Sequence, residues 1–542
     1  MDFQGLLSYA LAYGLPAIGA YLIYHWWNRT LHGYFRHRGV PFVEPYPLFG
    51  ILWPFFTGKM HVNDAIGQGY HQFPEARFSG HFTFHVPGYL IHDPKLVKRI
   101  TGTDFDHFTD RANNITPEVD PLLGRALVFM NNPHWKPGRT ALSPAFTGSK
   151  MRNMFTLLSS YTSAAMQRLV KDADGGTLER EMRDLFQRFG NDVMTSISFG
   201  VEIDSVHDPD NEFLLKGKCL SSTSGLHGFK LFVMTLLPPK FLTTFGIRIM
   251  PKDVTDFYRK IVSDTIKYRE ENHIHRPDFI HLLMLARKNE LSKDASDEKL
   301  GNAGFSTVEE HLQTSTNEQQ KWSDLDITAA ATSFFFGGIE TTTTLLCFTL
   351  YELSLNLEIQ EKLRAEIDSI HQNLDSETLT YECIQEMKFL DMVVTETLRK
   401  WPPFGALNRK CTKEYAMENS DGTKVTITKG QIITFSIQAI HRDARYYPDP
   451  MRFDPERFAE RNRHQLNPDA FLPFGSGPRN CIGSRLALMQ AKCFLYYLLV
   501  HFSVELSGRT DVPIELDKRA IGMNAKNGFW FRLTPRSREN LR

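Results

Sequence analysis

The chain has 542 residues, of which 42% are apolar and 23% charged, so it can bury a large core. Lys and Arg total 62, as do Asp and Glu, and the zero formal net charge argues against a nucleic-acid binder. The six cysteines show no paired spacing, which indicates reduced thiols in a cytosol-facing protein rather than a disulfide framework.

The first predicted element is a membrane anchor. Residues 3–24 carry no charged side chain, and about 20 apolar residues are enough to cross a bilayer. Trp26 and Trp27 follow where an aromatic belt would lie, and basic residues come next, so the positive-inside rule places the rest of the chain in the cytosol. A cleaved signal peptide is the alternative, but the apolar run is long and the basic residues lie on its wrong side. Residues 1–28 are therefore predicted to be the anchor, and residues 29–50 a basic, proline-rich hinge.

Several stretches have recognisable periodicity. Residues 77–91 predict a β-hairpin with a Pro-Gly turn, and residues 424–440 predict strands with a Lys-Gly turn. Residues 147–200 and 252–288 have helical periodicity. Residues 288–320 are polar and are predicted to form a mobile surface loop.

Trp135 and Arg139 are four residues apart and therefore share one face of a predicted helix. Their indole N–H and guanidinium can both donate to a carboxylate. The alternative is a cation–π pair at the surface.

Residues 323–353 predict a long helix that begins with a capping-box-like sequence. Gly337 and Gly338 lie at its centre, although each Gly costs about 1 kcal/mol relative to Ala, which indicates close approach of another group or a local opening. Glu340 and Thr341 follow, and a neighbouring acid and alcohol can relay protons to a ligand above the glycines. The alternative is a helix bend at which the hydroxyl bonds back to a carbonyl.

Residues 471–485 end a Gly- and Pro-rich loop and open a helix. The helix dipole and backbone N–H groups favour Cys481 as a thiolate. Gly477 and Gly483 allow tight turns beside a large flat ligand, and Arg479 supplies a cation for a carboxylate. A single thiolate suits an axial position of heme iron better than tetrahedral zinc. The alternative is a buried, inert cysteine.

This loop resembles the heme-binding signature of the cytochrome P450 monooxygenases. Phe474, Gly477, Arg479, Cys481 and Gly483 match every defined position of F-x-x-G-x-R-x-C-x-G. The family's W-x-x-x-R, small-Gly-x-acid-Thr, E-x-x-R and P-E-R-F motifs also occur, in order, at residues 135–139, 337–341, 396–399 and 455–458. Gly337 departs from the commoner Ala.

The resemblance implies the mainly α cytochrome P450 fold with a small β region, a single N-terminal transmembrane helix and a catalytic domain over residues 51–542. It implies heme b with Cys481 as the iron ligand, and protons routed past Glu340 and Thr341. The heme-binding residues that it implies are Trp135, Arg139, Arg409, Arg479, Phe474, Gly477, Gly483 and, by position alone, Arg111. A solvated side chain is the alternative for Arg111.

The resemblance also assigns structural and substrate-contacting residues. Glu396, Arg399 and Arg457 would lock together behind the heme, although E-x-x-R alone usually marks a surface salt bridge. An apolar pocket for a lipophilic molecule is implied; its predicted residues are Ile115, Leu127, Phe129, Phe336, Gly337, Phe404, Ala406 and Met523. Residues 229–250 are unusually apolar, and the resemblance favours a second membrane contact there over ordinary core.

Neither a G-x-G-x-x-G after a strand nor a Walker A loop occurs, so NADPH would act only indirectly, through NADPH–cytochrome P450 reductase. Cytochrome b5 is a further candidate partner, and the endoplasmic reticulum membrane is the expected location. Within the family the chain looks most like the insect detoxification branch, which implies oxidation of insecticides or plant toxins. The alternatives are an endogenous lipid or hormone substrate, a peroxide isomerase or dehydratase that needs no reductase, and a heme sensor or carrier.

Overall fold

The computed structural model describes residues 13–221, 234, 237–291, 305–307, 322–374 and 379–536. The helices in this part of the chain are α1 Leu15–Arg36, α2 Trp53–Phe56, α3 Val62–Gln72, α4 Pro94–Thr101, α5 Trp135–Leu142, α6 Gly148–Ala173, α7 Met182–Phe199, α8 Glu212–Ser221, α9 Pro239–Thr244, α10 Lys252–Asn272, α11 Phe279–Arg287, α12 Asp324–Leu355, α13 Leu357–Gln372, α14 Tyr381–Glu386, α15 Lys388–Lys400, α16 Ile437–His441 and α17 Ser484–His501. The strands are β1 Phe78–Thr83, β2 Val86–Ile91, β3 Leu178–Glu181, β4 Ala406–Lys410, β5 Tyr415–Glu418, β6 Lys424–Ile427, β7 Ile432–Ser436, β8 Phe502–Leu506 and β9 Trp530–Pro535. The prediction of a mainly α protein with a small β region is confirmed.

The chain divides into two compact units, and the first comprises Met1–Asp110 and Gly405–Ile440. It holds a four-stranded sheet in the order β1-β2-β7-β4 and a two-stranded sheet of β5 and β6. Only the β2–β7 pair among these described strands is parallel. Phe35 of α1 is buried in this unit and packs edge-on against Phe82 and Tyr89, with ring centroids 5.1 and 5.4 Å apart.

The predicted hairpin is present, but the prediction of its turn was wrong. β1 and β2 pair along their whole lengths, so Phe84 and His85 form the turn, and Phe84 has φ +56°. Pro87 and Gly88 lie inside β2 instead. Proline is tolerated there because β2 pairs with β7 only from Gly88 onward. Strand β7 therefore needs no hydrogen bond from position 87, where proline has no N–H to donate.

The second unit comprises Arg111–Phe404 and His441–Arg542. Its longest helix is the 32-residue α12, which packs against α7, α10, α15 and α17. Ser323 and Asp326 form a reciprocal capping box at its start, as the sequence predicted. The three-stranded sheet β3-β9-β8 completes this unit.

The two predicted membrane segments are described only in part. Within the described ranges, no helix is both long and apolar enough to span a bilayer. Residues 1–12 of the predicted anchor lie outside those ranges, as do residues 229–233 and 235–236 of the second apolar segment. Beyond that gap, α9 exposes Phe241, and Phe245 follows with 65% of its surface exposed.

Candidate active site

The Cys481 loop is tightly turned. The Cys481 N–H donates to the Phe474 carbonyl oxygen at 2.9 Å, and the Asn480 N–H donates to the Gly477 carbonyl oxygen at 3.0 Å. Gly477 has φ +72°, a left-handed value that only glycine adopts without steric cost. These bonds give the loop a defined shape despite its Gly- and Pro-rich sequence.

The loop presents Cys481 at the start of α17. Gly483 is the N-cap of that helix, and a Cβ at Gly483 would approach Phe146 only to 4.0 Å. Cys481 is exposed, whereas Asn480 before it is buried. A cysteine that a ligand can reach therefore lies beside the positive end of a helix, which favours the thiolate.

Two residues of α5 bind the same loop. The Arg479 guanidinium lies 4.0 Å from the centre of the Trp135 ring and donates to the Met130 carbonyl oxygen at 2.7 Å. Arg139 donates to the Asn480 backbone oxygen at 3.0 Å and to its side-chain oxygen at 2.6 Å. Trp135, Arg139 and Arg479 are all buried, so the surface alternative for the W-x-x-x-R motif does not apply.

Arg111 lies beside Arg479 of the Cys481 loop and not in bulk solvent. Its N–H and carbonyl are both bonded to the Asn131 side chain, and its Nη2 donates to the Arg479 carbonyl oxygen at 3.3 Å. Its Nε is buried without a hydrogen-bond partner among the described residues. Burial lowers the pKa of Arg111, and the charge of a Cys481 thiolate opposes that shift. A buried cationic donor that lacks an acceptor suits an anionic group of a bound ligand.

Arg409 and Ala406 belong to the first unit, where both lie on β4. Ala406 pairs with Ser436 and Arg409 with Ile433 of β7. The Arg409 side chain is almost completely buried, and its Nη1 donates to the Asn408 carbonyl oxygen at 2.9 Å.

The two central glycines of α12 have different surroundings. A Cβ at Gly338 would lie 2.7 Å from the Met194 methyl carbon, so any larger residue there would displace the Met194 side chain of α7. A Cβ at Gly337 would meet nothing within 4 Å. Thr341 donates its hydroxyl to the Gly337 carbonyl oxygen at 2.7 Å, which is the back-bonded arrangement that the sequence left open.

Glu340 faces α7. Its carboxylate forms an ion pair with Arg183 and accepts a hydrogen bond from Gln187 Nε2 at 3.0 Å. Arg183 also donates to the Thr344 hydroxyl at 3.4 Å. Both partners of the ion pair are largely buried, so Glu340 is held by α7 and is not freely solvated.

Glu396 and Arg399 form a bidentate ion pair with N–O distances of 2.7 and 2.8 Å, and neither side chain is exposed. Arg457 Nε lies 3.6 Å from the same carboxylate, and the Asp454 N–H donates to it at 3.0 Å. Burial raises the pKa of Glu396, and the bonds and charge of Arg399 oppose the shift. The three predicted structural residues are thus in contact, and the surface alternative does not apply.

His441, which the sequence did not single out, joins this ion pair to the Cys481 loop. Its Nε2 accepts the Leu472 N–H at 2.8 Å, so its Nδ1 carries the proton and donates to the Arg399 carbonyl oxygen at 3.2 Å. Arg399 Nη1 donates back to the His441 carbonyl oxygen at 2.9 Å. Burial, with the charge of Arg399, lowers the pKa of His441 to about 3, so the imidazole is neutral at physiological pH.

A family model described as Cytochrome P450 matches residues 40–531. The chain belongs to the cytochrome P450 family. It is therefore a heme-thiolate monooxygenase that receives electrons through a redox partner such as NADPH–cytochrome P450 reductase, as predicted.

The curated relatives of this cytochrome P450 include several insect proteins that it matches over almost their whole length. Cytochrome P450 9e2 of Blattella germanica is 35% identical, with 99% of this chain and 100% of that protein covered. Probable cytochrome P450 9f2 of Drosophila melanogaster is 36% identical, with 97% and 99% covered. Cytochrome P450 6A1 of Musca domestica is 31% identical, with 98% of each chain covered. The predicted likeness to insect cytochromes P450 is confirmed.

The residues of the second unit fit a heme. Cys481 is accessible as an iron ligand, and the space beside Gly337 is open. The buried Arg111 Nε calls for an acceptor, which a propionate would supply. In this cytochrome P450, Arg111, Arg139 and Arg479 would face the heme carboxylates, which Arg guanidinium groups bind well.

Most of the predicted substrate-contacting residues of the second unit belong to its hydrophobic core or pack against it. Ile115 and Met523 are buried in its hydrophobic core, and Leu127, Phe129 and Phe336 are partly buried against that core. Phe404 differs, since 65% of its surface is exposed.

Sequence reasoning missed the residues that position Glu340. Arg183 and Gln187 precede it by more than 150 residues, and neither belongs to a motif. Their spacing of four places them on one face of α7, which was the only local signal. Their role depends on the packing of α7 against α12, which no local pattern encodes.

Proposed function

We propose that this cytochrome P450 oxidises lipophilic small molecules, chiefly xenobiotics such as insecticides or plant toxins. The observation that carries the proposal is the apolar environment of Ile115, Leu127, Phe129, Phe336 and Met523. A pocket lined by such side chains favours apolar ligands, because their burial needs no polar partners. The resemblance of its motifs to the insect detoxification branch is the reason to place a xenobiotic before an endogenous lipid or hormone, and the relatives above are insect cytochromes P450 as that resemblance implies.

Bound heme supplies the activation of O₂ and the insertion of one oxygen atom into the substrate. In total, substrate, O₂, NADPH and a proton yield oxygenated product, water and NADP⁺. The chain contributes the Cys481 thiolate, and the carboxylates of the heme would be bound by Trp135, Arg139, Arg479 and Arg111 of the second unit. The resemblance also implies Arg409 as a heme-binding residue. Phe474, Gly477 and Gly483 would shape the loop around the ligand.

Glu340 and Thr341 are proposed to deliver protons. The Thr341 hydroxyl, which donates to the Gly337 carbonyl oxygen, would rotate toward the open space beside Gly337. Glu340 would leave its ion pair with Arg183, and its carboxylate would take up a proton from solvent. It would then pass that proton to the Thr341 hydroxyl, which has given up its own.

The relay is tested by Thr341→Val and Thr341→Ser. Valine keeps the shape of threonine without the hydroxyl, so we expect product formation to fall about 100-fold while NADPH oxidation continues. Serine keeps the hydroxyl and should retain most of the product. If Thr341→Val forms product at the wild-type rate, the Thr341 hydroxyl serves only the bond to Gly337.

We further propose that residues 1–28 anchor the protein in the endoplasmic reticulum membrane, that residues 29–50 form a hinge and that residues 51–542 face the cytosol as the catalytic domain. The uncharged run of residues 3–24 supports the anchor, and the exposed rings of Phe241 and Phe245 support a second membrane contact. In this location the reductase and cytochrome b5 could both reach the protein.

The decisive first experiment is the carbon-monoxide difference spectrum of the reduced protein. Wild type should show the thiolate-type Soret band, and Cys481→Ala should lose it. Cys493→Ala is the matched control, because Cys493 is buried in α17 and burial raises its pKa, which disfavours the thiolate. A thiolate-type band in Cys481→Ala would show that another residue ligates the iron.

Substrate class requires a panel of compounds scored by the spin-state shift on binding. Lipophilic xenobiotics should shift the spectrum and yield oxygenated products with NADPH and reductase. Tight binding of a hormone or lipid alone would favour the endogenous alternative. Product formation from a lipid hydroperoxide without NADPH would favour the isomerase alternative.

A further inference from the structure

Residues 305–307 lie within the polar stretch 288–320, but they are docked on α15 and do not form part of a mobile surface loop. The Phe305 N–H donates to Asp391 Oδ2 at 2.9 Å. The Ser306 and Thr395 hydroxyls are hydrogen-bonded at 2.9 Å, and both residues are buried. Asp391 and Thr395 are four residues apart on α15, so the docked residues bind one face of that helix.

Phe305 is the only Phe, Tyr or Trp between Phe279 and Trp322. Its ring lies edge-on to Phe458, with centroids 4.9 Å apart, and 5.6 Å from Phe471. Phe458 and Phe471 are themselves 5.1 Å apart. Phe305 therefore completes a cluster of three rings, an arrangement in which aromatic side chains attract one another beyond simple burial.

This cluster supports the first residue of the Cys481 loop. Phe471 stacks on the His441 ring, with centroids 5.5 Å apart and planes at 21°. The adjacent Leu472 N–H is bonded to His441, and Phe474 accepts the Cys481 N–H. A short chain of contacts thus runs from Phe305 to the backbone of Cys481.

A second chain of contacts reaches the far end of the loop. Asp391, which binds the Phe305 N–H, also forms an ion pair with Lys492 at 2.7 Å. Lys492 is almost completely buried and belongs to α17, the helix that follows Cys481. Residues 305–307 are therefore connected to the segments on both sides of the cysteine.

We infer that residues 305–307 form a clamp that holds the Cys481 loop in its ligand-binding position. The glycines of the loop have a large conformational entropy in the unfolded chain, so contacts from outside the loop add to the hydrogen bonds within it. The inference rests on Cys481 as the heme ligand, and it makes Phe305 a positioning residue that acts through Phe471.

The test uses the full-length, heme-loaded protein and follows the thiolate-type Soret band of its reduced carbon-monoxide complex in mild denaturant. Phe305→Ala should lose this band about tenfold faster than wild type, at denaturant concentrations that leave the helical circular dichroism unchanged. Phe305→Leu should recover most of the lifetime, because leucine restores apolar contact with Phe458 and Phe471. Ser306→Ala, which removes only the bond to Thr395, should have a smaller effect in the same direction.

Thr307→Ala is the matched control within the clamp. The Thr307 hydroxyl is buried and has no hydrogen-bond partner among the described residues, so its removal should leave the lifetime of the band unchanged. The inference is overturned if Phe305→Ala behaves as Thr307→Ala does, or if its band decays only together with the helical signal. Failure of wild type to show the band would instead refute Cys481 as the ligand.

Hydrogen exchange on wild type provides a test that does not depend on a variant. The amide of Phe305 should exchange as slowly as that of Leu472, because both are held in one network. Exchange of the peptide containing residues 305–307 at the rate of an unstructured chain would overturn the inference.

Discussion

At the residue scale, Arg111 combines burial with an unsatisfied donor. Such a group costs about 1–3 kcal/mol when no acceptor is present, and a bound anion recovers that cost. We therefore predict that Arg111→Gln raises the free energy of unfolding of the heme-free protein by about 1 kcal/mol. The same substitution should speed the release of heme about tenfold, since a charged hydrogen bond to a carboxylate is lost.

Both effects of Arg111→Gln can be measured directly, by urea unfolding of the heme-free protein and by heme transfer to a globin acceptor. Arg168→Gln is the matched control, because Arg168 lies in the same unit with 52% of its side chain exposed and pairs with Asp204. Release of heme at equal rates from the two variants would contradict a carboxylate-binding role for Arg111.

His441 makes stability depend on pH in a predictable direction. Its pKa is lowered from 6.5 to about 3 in the folded protein, so below pH 6.5 the unfolded chain binds a proton that the folded protein does not. Stability must therefore fall as the pH falls, and His441 alone should account for a loss of about 2 kcal/mol between pH 7 and pH 5.

The variant His441→Gln isolates this contribution, because glutamine can also accept from Leu472 and donate to Arg399 but does not titrate. The free energy of unfolding, measured with urea at pH 7 and pH 5, should fall less in His441→Gln than in wild type. The difference should be about 2 kcal/mol. Equal losses in the two proteins would mean that His441 is not held neutral.

At the scale of elements, the packing of α12 against α7 distinguishes two adjacent glycines. A Cβ at Gly338 would overlap Met194, so Gly338→Ala should lower the free energy of unfolding by about 1–3 kcal/mol. A Cβ at Gly337 meets open space, so Gly337→Ala should raise it by about 1 kcal/mol through helix propensity. Denaturant titration measures both changes.

Gly190→Ala is the control on the other side of this interface. A Cβ there would make ordinary contact with Ile339 at 3.5 Å, so overlap should not destabilise this variant. If Gly337 borders the ligand, Gly337→Ala should also change the spin-state response to bulky substrates, while Gly190→Ala should not. Destabilisation of Gly337→Ala to the same extent as Gly338→Ala would contradict the open space above α12.

At the scale of the whole molecule, membrane attachment through residues 1–28 is tested by extraction. If residues 1–28 are an anchor, the full chain should resist extraction from membranes by alkaline carbonate, since insertion of a spanning helix is effectively irreversible. Deletion of residues 1–28 should move most of the protein to the extractable fraction and leave the carbon-monoxide spectrum unchanged.

Deletion of residues 537–542 controls for truncation at a chain end and should leave the protein in the membrane. Carbonate extraction of the full chain would contradict the anchor. Retention of the shortened chain at low salt, with release at high salt, would point to the second contact near Phe241 and Phe245.

The sequence by itself determined what depends on local chemistry: the family, the heme ligand expected at Cys481, the capped start of α12 and the candidate proton-relay pair Glu340 and Thr341. Each rests on residues close together in the chain, where spacing alone specifies which groups meet. The turn of the first hairpin was predicted at Pro87 and Gly88, because proline usually interrupts a strand. Pro87 fits inside β2 because the pairing with β7 begins only at the next residue.

Only the tertiary structure decided which distant residues support the site. Arg183 holds Glu340, and His441 joins Arg399 to Leu472. Phe305 packs on Phe471, although it lies in a stretch that was predicted to be a surface loop. None of these partners is specified by periodicity or spacing, because each contact arises when helices and loops far apart in sequence pack together.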